Sequence, residues 1–377
     1  MADRPLKIAI VHDWLVDVGG AEKTLQSIYK LYPVDTYVLF YQPGSPEKVG
    51  INPKHLHTSF LQYLPGIQRW YRNVPFLFPV AIASLDLSAY DVIISSSHTA
   101  AKSVRTRPGQ LHICYCYSPM RWAWDFQDRY LKTAGFSGLK SWLARLILGP
   151  IRRWDYATRN RPTDYIGISQ YIVDRIKRVY GREAAVIYPP VDVLDFTLRK
   201  QKEDFYLTAS RMVPYKRIDL VVEAFTRLPD KKLVVIGDGT EFEKIKKIAE
   251  GHSNITLQGY QPFTVLKDHM QRARAFIFAP EEDFGIVPLE AQATGTPVIA
   301  FGQGAARETI IDGTTGLFFD EQTVPSLIEA LERFEGHAAW NPEVIRHNAD
   351  RFSRAVFEKN FHEFVEKKIA VHNRGEA

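Results

Sequence analysis

Two carboxylates stand eight positions apart around a turn between an acidic loop and an apolar helix. Glu282 lies in the loop and Glu290 early in the helix of the stretch EEDFGIVPLEAQATGTPVIAFGQG. Pro288 suits the first turn of a helix, and Val287 has no hydroxyl that could form a capping box with Glu290. A carboxylate that accepts two hydrogen bonds can bind a vicinal diol. Free backbone N–H groups at the start of a helix can bind a phosphate, and here they are those of Phe284, Gly285, Ile286 and Val287. The pattern indicates a ligand site, with solvated helix-cap charges as the alternative.

Two cations occupy a second loop, in the stretch SRMVPYKR after a predicted strand. Arg211 offers a planar fork and Lys216 a flexible point charge, a combination that suits the clamping of two phosphates. The alternative is a pair of solvated loop cations.

A glycine pair follows the first predicted strand, in VGGAEK. Gly19 and Gly20 would let a ligand approach the backbone, and the helix that follows would offer its N-terminus to an anion. A plain turn is the alternative. His98, after a later strand, is a candidate acid, base or hydrogen-bond donor, although a lone histidine is more often structural. The chain carries neither a dinucleotide fingerprint nor an ATPase phosphate loop.

A catalytic metal is not expected, because the chain has no D-x-D motif and no metal-like spacing of His, Cys and carboxylates. The two cysteines, Cys114 and Cys116, fall on one face of a predicted strand and are expected to be core residues of a protein from a reducing compartment. No apolar run reaches the roughly 18–20 residues that cross a bilayer, and no leader is recognised, so a soluble or peripheral protein is expected.

The length of 377 residues favours two domains, and short β-branched runs alternate with amphipathic helices, which predicts parallel sheets covered by helices. Strands are predicted in 6–15, 35–41, 90–97 and 111–118, and the pattern restarts at 205–212 after a linker with a proline pair, 188–204. Every candidate loop follows the carboxyl end of a predicted strand, which predicts α/β architecture with ligands at those ends.

The segment 129–162 carries eight Lys or Arg residues against one acidic residue, Asp155. Its mixture of apolar residues and cations suits docking on an anionic lipid surface, with candidate contacts at Trp142, Arg145, Arg152 and Arg153. The alternative is an amphipathic helix packed on the sheet. Nucleic acid is a poorer explanation, because no known binding module is recognised.

In combination, the motifs resemble those of the retaining glycosyltransferases of family 4. The resemblance rests on the two glutamates, the SRMVPYK loop, VIGDG and GGAE, and the stretches HDWL, SSSH and HICYC with PMRWAWD are similar to a mannosyltransferase-like branch of polysaccharide synthesis. It implies the GT-B fold, two Rossmann-like domains facing across a cleft. The implied domains are 1–190 with 353–377, which binds the acceptor, and 191–352, which binds the nucleotide sugar.

The same resemblance implies a role for each matching residue. Arg211 and Lys216 would bind the diphosphate, Glu290 the ribose, and Glu282 the transferred sugar. The resemblance also implies donor contacts from Gly19, Gly20, Gly237, Gly239, Gly259 and Tyr260. It implies acceptor contacts from Asp13 and Trp14.

Tyr117 departs from the family pattern, in which a histidine follows this strand and contacts the transferred sugar; here the chain reads CYSP. We expect Tyr117 to line the sugar site, with His98 taking part of the missing role.

The sequence therefore predicts a metal-independent retaining hexosyltransferase without a cofactor, peripheral to the inner face of the cytoplasmic membrane. GDP-mannose is the favoured donor and a lipid-linked saccharide the acceptor, in surface polysaccharide or lipopolysaccharide synthesis. A UDP-hexose is the alternative donor. A sugar-nucleotide epimerase and a catalytically weakened nucleotide-sugar-binding subunit are the alternative functions.

Overall fold

The structure, a computed structural model, describes residues 6–124, 139–337 and 339–374, and for 139–147 only the course of the backbone. The chain divides into two compact units. The first comprises Met1–Pro190 with Phe357–Ala377, and the second comprises Val191–Val356.

The first unit is built on a parallel sheet of seven strands in the order β3-β2-β1-β4-β5-β6-β7. Chain order reverses between β1 and β4, which are neighbours in the sheet. The strands are β1 (Ile8–His12), β2 (Thr36–Val38), β3 (Leu56–Thr58), β4 (Val92–Ser97), β5 (Leu111–Cys116), β6 (Asp164–Gly167) and β7 (Ala185–Val186).

Helices cover this sheet because their apolar sides face it; in α7, for example, Ile172, Ile176 and Val179 are buried. The helices are α1 (Gly20–Leu31), α2 (Ser45–Val49), α3 (Ile67–Trp70), α4 (Phe78–Ala83), α5 (Arg121–Trp124), α6 (Leu139–Ala157) and α7 (Gln170–Tyr180).

The second unit contains a parallel sheet of six strands in the order β10-β9-β8-β11-β12-β13, reversing between β8 and β11. The strands are β8 (Tyr206–Ala209), β9 (Leu233–Ile236), β10 (Ile255–Leu257), β11 (Ala275–Phe278), β12 (Val298–Phe301) and β13 (Gly316–Phe319).

The helices of the second unit pack on both faces of its sheet, and a last helix runs from this unit into the first. They are α8 (Ile218–Thr226), α9 (Phe242–Ala249), α10 (Phe263–Arg272), α11 (Ile286–Ala293), α12 (Ala306–Thr309), α13 (Val324–Glu335), α14 (Pro342–Asp350) and α15 (Arg354–Asn373). Phe357 and Phe361 of α15 pack against Tyr115 of β5, which fixes the end of the chain to the first unit.

The predicted α/β class with two parallel sheets is confirmed. Sequence patterning missed β3 and β13, which are three and four residues long. The aromatic stretch after Ser59 was assigned no element and forms short helical turns, whose Leu61, Ile67 and Phe78 belong to the core.

Candidate functional site

The donor-site candidates of the second unit follow β8 and β11, the neighbouring strands between which chain order reverses. Loops at such a reversal diverge and leave a crevice at the carboxyl ends of the strands, where open parallel sheets bind ligands. Arg211 and Lys216 follow β8, whereas Glu282 and Glu290 follow β11.

Lys216 and Glu282 form an ion pair between the two loops, through Nζ and Oε1. The two side chains are only 13% and 19% exposed. The structure thus brings together two groups that the sequence assigned to different parts of one ligand, the phosphate and the sugar.

The loop after β8 is held in place by glycines of the loop after β9. A Cβ on Gly237 would lie 1.9 Å from the Ser210 carbonyl oxygen, and one on Gly239 would lie 2.4 Å from that of Met212. Both glycines have a positive φ. Their missing side chains therefore serve the contact between two loops, whereas we expected them to admit a ligand.

A second connection joins the β8 loop to the end of β11. Arg217, the single non-glycine residue with positive φ in the described chain (54°), donates from its guanidinium to the Gln322 side chain and carbonyl at 3.3 and 3.4 Å. Gln322 in turn donates to the carbonyl of Ala279 at 2.8 Å. These contacts fix the spacing of the strands that carry Lys216 and Glu282.

Glu290 lies inside α11 and is 7% exposed. The helix begins at Ile286, with Gly285 (φ 85°) in the capping position and Pro288 in the first turn, as expected. The capping residue is Gly285 and not Val287, and the third helical residue is Pro288, so Glu290 takes no part in a capping box.

The remaining donor-site candidates of this unit differ in exposure. Arg211 is exposed, and Tyr260 is 78% exposed beside Gly259, whose carbonyl accepts a hydrogen bond from the Gly237 N–H at 2.8 Å. Phe284 is buried and its ring lies 5.8 Å from that of Phe352, so it can contribute only backbone groups to a ligand.

In the first unit, polar side chains gather where chain order reverses between β1 and β4. We call this set the first-unit polar cluster; it consists of His12, Asp13, Glu22, Ser96, His98 and Tyr117. Asp13 is fully buried and its carboxylate accepts four backbone N–H groups at 2.5–2.9 Å, from His98, Thr99, Ala100 and Ala101. Asp13 was assigned to the acceptor, but both of its oxygens are engaged in holding the loop that presents His98.

His98 and Trp14 lie beside one another, with ring centroids 4.6 Å apart. Burial lowers the pKa of His98, and the carboxylate of Asp13 opposes this only in part, so the ring is neutral at neutral pH. Trp14 also packs on Phe40, Tyr71 and Phe78, which makes it partly a core residue.

Tyr117 donates a hydrogen bond from its hydroxyl to the Ala21 carbonyl at 2.9 Å and lies 2.9 Å from the Ser96 hydroxyl. Burial raises its pKa, so the phenol stays protonated. Gly19 precedes α1, Gly20 begins it, and the Gly19 N–H donates to Glu22 at 2.8 Å.

His12, Glu22 and Ser96 were not singled out from the sequence. Glu22 follows Gly19 by three residues in GGAE, and this spacing is the signal that could have indicated it, since a glutamate there accepts the N–H at the start of a helix.

The basic segment contributes fewer docking residues than expected. Trp142 and Arg145 lie where the structure does not describe side chains. Arg152 donates to the Ala123 carbonyl at 3.0 and 2.7 Å and lies over the Trp124 ring, so its guanidinium holds α6 to α5, whereas Arg153 is exposed.

Among the described residues, no three His, Cys, Asp or Glu side chains are placed so that they could hold a metal ion. In the same part of the chain, none of the helices combines the length and apolar character needed to cross a bilayer.

Two parallel α/β units with ligand-type loops where the strand order reverses define a protein of the GT-B fold class. A solved structure supports this assignment: an Anabaena protein, Alr3699/HepE, in complex with UDP matches 96% of this chain and all of its own chain, with a TM-score of 0.69 and 17% identity.

The family model matches mainly the second unit. Residues 193–364 match the family model described as glycosyl transferases group 1. An uncharacterized glycosyltransferase of Methanocaldococcus jannaschii is 30% identical over 180 residues, which is 47% of this chain and 50% of that protein. A GDP-mannose-dependent phosphatidylinositol monomannoside mannosyltransferase of Mycolicibacterium smegmatis is 28% identical over 193 residues, 44% of this chain and 50% of its own. The chain thus spans about half the length of these curated relatives, and its second unit has the sequence characteristics of group 1 glycosyltransferases.

Proposed function

We propose that this protein is a retaining hexosyltransferase of family 4 that transfers mannose from GDP-mannose to a lipid-linked saccharide, in the synthesis of a surface polysaccharide or lipopolysaccharide. It works without a bound metal, at the inner face of the cytoplasmic membrane.

The observation that carries the proposal is the pairing of Lys216 with Glu282 at the carboxyl ends of β8 and β11. A nucleotide sugar presents both an anionic diphosphate and neutral hydroxyls, so it can give each member of the pair a partner of its own. A ligand with only one of these groups would leave a partly buried charge without its partner, which is costly. The match of residues 193–364 to group 1 glycosyltransferases supports the same ligand class.

The roles follow from the chemistry of each group. Lys216 and the exposed Arg211 bind the diphosphate and offset the charge that develops on it as the bond to the sugar breaks. Glu282 holds hydroxyls of the transferred sugar, and Glu290 holds the ribose. The acceptor hydroxyl attacks the anomeric carbon on the face from which the diphosphate leaves, and its proton passes to a leaving phosphate oxygen. The protein thus contributes orientation and charge stabilisation rather than a covalent intermediate.

GDP-mannose is the preferred donor because the relatives of this chain include a GDP-mannose-dependent mannosyltransferase. A UDP-hexose is the alternative, since the solved Anabaena protein of similar fold is a complex with UDP.

Thermal denaturation with a panel of nucleotide sugars tests the donor. GDP-mannose is expected to raise Tm more than UDP-glucose or UDP-galactose at equal concentration, because a ligand stabilises the fold according to its concentration relative to Kd. Stabilisation by the UDP-sugars alone would replace the donor, and stabilisation by no nucleotide sugar would refute the proposed function.

Donor turnover without an acceptor would instead favour a sugar-nucleotide epimerase on the same scaffold. A protein that binds the donor but neither hydrolyses nor transfers it would be a nucleotide-sugar-binding subunit. The intact set of Arg211, Lys216, Glu282 and Glu290 favours the transferase over the binding subunit.

Contact with the membrane rests on the exposed Arg153 among the described residues of the basic segment. We expect the protein to sediment with anionic liposomes, and we expect both added salt and Arg153→Glu to weaken this binding. Sedimentation that is unchanged by salt and by the substitution would contradict the proposed contact with the membrane.

A further inference from the structure

A buried histidine in the first unit has one ring nitrogen without a hydrogen-bond partner. His12 is the last residue of β1 and is fully buried. Its Nδ1 lies 3.1 Å from the Ser96 carbonyl oxygen and 3.0 Å from the Ser96 hydroxyl, whereas its Nε2 has no partner in the described part of the chain. A buried polar atom without a partner is costly, so its presence calls for a physical reason.

The neighbouring hydrogen bonds fix which nitrogen carries the hydrogen. A carbonyl oxygen can only accept, so Nδ1 donates to Ser96. Tyr117 uses its single hydroxyl hydrogen on the carbonyl of Ala21, and the Ser96 hydroxyl therefore donates to the Tyr117 oxygen. In a neutral His12 the lone pair consequently lies on Nε2.

The atom that faces this lone pair is itself an acceptor. Glu22 Oε1 lies 3.8 Å from His12 Nε2, and Glu22 Oε2 accepts the Gly19 N–H at 2.8 Å.

An O–H group near these two atoms would supply one of the two missing hydrogen bonds. An oxygen can lie at a hydrogen-bond distance of about 2.8 Å from both Nε2 and Oε1, because they are only 3.8 Å apart. It would donate its hydrogen to one of them.

Gly19 borders the Glu22 carboxylate. Gly19 is exposed, and the Glu22 side chain is 11% exposed. A Cβ on Gly19 would lie 3.2 Å from Glu22 Oε2, so a side chain there would crowd the carboxylate. The φ of Gly19 is −111°, which any residue can adopt, and the glycine is therefore needed for space rather than for backbone conformation.

We propose that Glu22 and His12 Nε2 bind a hydroxyl of the acceptor saccharide, and that Ser96 and Tyr117 position His12 for this contact. The inference rests on the proposed function for the identity of the ligand as an acceptor, but the binding of a sugar hydroxyl can be measured without it. It also gives Tyr117 a role, since a phenol that reaches both Ser96 and Ala21 ties the end of β4 to the residue before Glu22.

The experiment is NMR of the full chain with ¹⁵N-labelled histidine, titrated with methyl α-D-mannopyranoside in the absence of a nucleotide. The His12 signal is assigned by its loss in His12→Gln. We expect the hydrogen of the neutral ring to reside on Nδ1, and the Nε2 resonance to shift as the glycoside binds. Glu22→Gln should weaken this binding at least tenfold, because a hydrogen bond to a charged group is lost.

Glu47→Gln is the matched control, because Glu47 also lies in the first turn of a first-unit helix but is exposed. It should leave the affinity for the glycoside unchanged. Gly19→Ala tests the same site with the carboxylate in place, should Glu22→Gln fail to fold, and it should also weaken binding.

A hydrogen on Nε2 instead of Nδ1, an absent shift in the wild-type protein, or equal affinity in Glu22→Gln and Glu47→Gln would overturn the inference. The two proposals fail separately. If GDP-mannose stabilises the protein but the glycoside does not shift His12, the hydroxyl site alone is wrong. If the glycoside binds but no nucleotide sugar does, the transferase is wrong.

Discussion

Replacement of Glu282 by glutamine should strengthen the binding of a bare nucleoside diphosphate. In the ligand-free protein Lys216 is paired with Glu282, so a diphosphate has to displace the carboxylate before it can bind the ammonium group. Glu282→Gln removes this competitor and keeps a side chain of the same size. Glu282→Gln, although it changes a residue that we assign to donor binding, should therefore increase the affinity for the nucleoside diphosphate part of the donor.

The magnitude follows from the burial of the pair. Exposed ion pairs contribute about 0.2–1 kcal/mol, and the loss of one partner of a fully buried pair costs about 3–5 kcal/mol. With 13% and 19% of the side chains exposed, the pair falls between these limits. A value of about 1–2 kcal/mol corresponds to an affinity for GDP or UDP that is about 5- to 30-fold higher in the variant.

The complete donor should respond in the opposite sense. In the wild-type protein Glu282 exchanges Lys216 for sugar hydroxyls, and hydrogen bonds to a charged group contribute about 1.5–3 kcal/mol. Glu282→Gln loses most of this contribution, so the preference for a nucleotide sugar over the bare diphosphate should fall at least tenfold.

Isothermal titration calorimetry with GDP, UDP, GDP-mannose and UDP-glucose at constant ionic strength measures both effects. Glu281→Gln is the matched control, because it removes the same charge one residue away. Unchanged or weaker GDP and UDP binding in Glu282→Gln would refute the competition, as would an equal gain in Glu281→Gln, which would indicate a general effect of charge.

Three further predictions concern the framework of the two sites. Burial lowers the pKa of His112 to about 3, so unfolding takes up a proton below pH 6.5. At pH 5 this uptake lowers the free energy of unfolding by about 2 kcal/mol. In urea denaturation at pH 5, His112→Gln should largely restore this loss, whereas His347→Gln, at an exposed position, should not. Lys102 and Asp155 form a buried ion pair at 3.0 Å. Lys102→Met should therefore lower the free energy of unfolding by about 3–5 kcal/mol. A smaller loss in the double variant with Asp155→Asn would show that the unpaired carboxylate causes the destabilisation. Gly237→Ala should abolish stabilisation by GDP-mannose because its Cβ meets the Ser210 carbonyl, whereas Gly251→Ala, also at positive φ but in open space, should retain it.

The parts of the fold that follow from periodicity were predictable. Long apolar strands and amphipathic helices revealed both sheets, and the placement of candidate loops at strand ends revealed the edge at which each sheet would bind a ligand. β3 and β13 lie at the ends of their sheets and pair with one neighbour each, over three and four residues, which is too short a stretch to show a pattern of its own.

Contacts between loops were not predictable. The sequence identified Gly237 and Gly239 as unusual, but not that their Cα atoms pack on carbonyl groups of the β8 loop. The sequence likewise predicted Arg152 to be a surface cation, whereas the guanidinium of Arg152 donates to the carbonyl of Ala123. A residue type indicates which contacts a side chain can make, and only the fold determines whether a ligand or the protein itself makes them.

The charges of the two sites indicate that the two units bind different chemical groups. The loops after β8 and β11 supply Arg211 and Lys216, which suit a diphosphate. The first-unit polar cluster contains two carboxylates and no Lys or Arg, and Glu22 already occupies the positive end of α1 through the Gly19 N–H. An ionised carboxylate there repels a phosphate, so the geometry opposes our expectation that Gly19 and Gly20 approach the donor phosphate. What the cluster can bind on electrostatic grounds is a neutral group that donates hydrogen bonds, and a sugar hydroxyl has that chemistry.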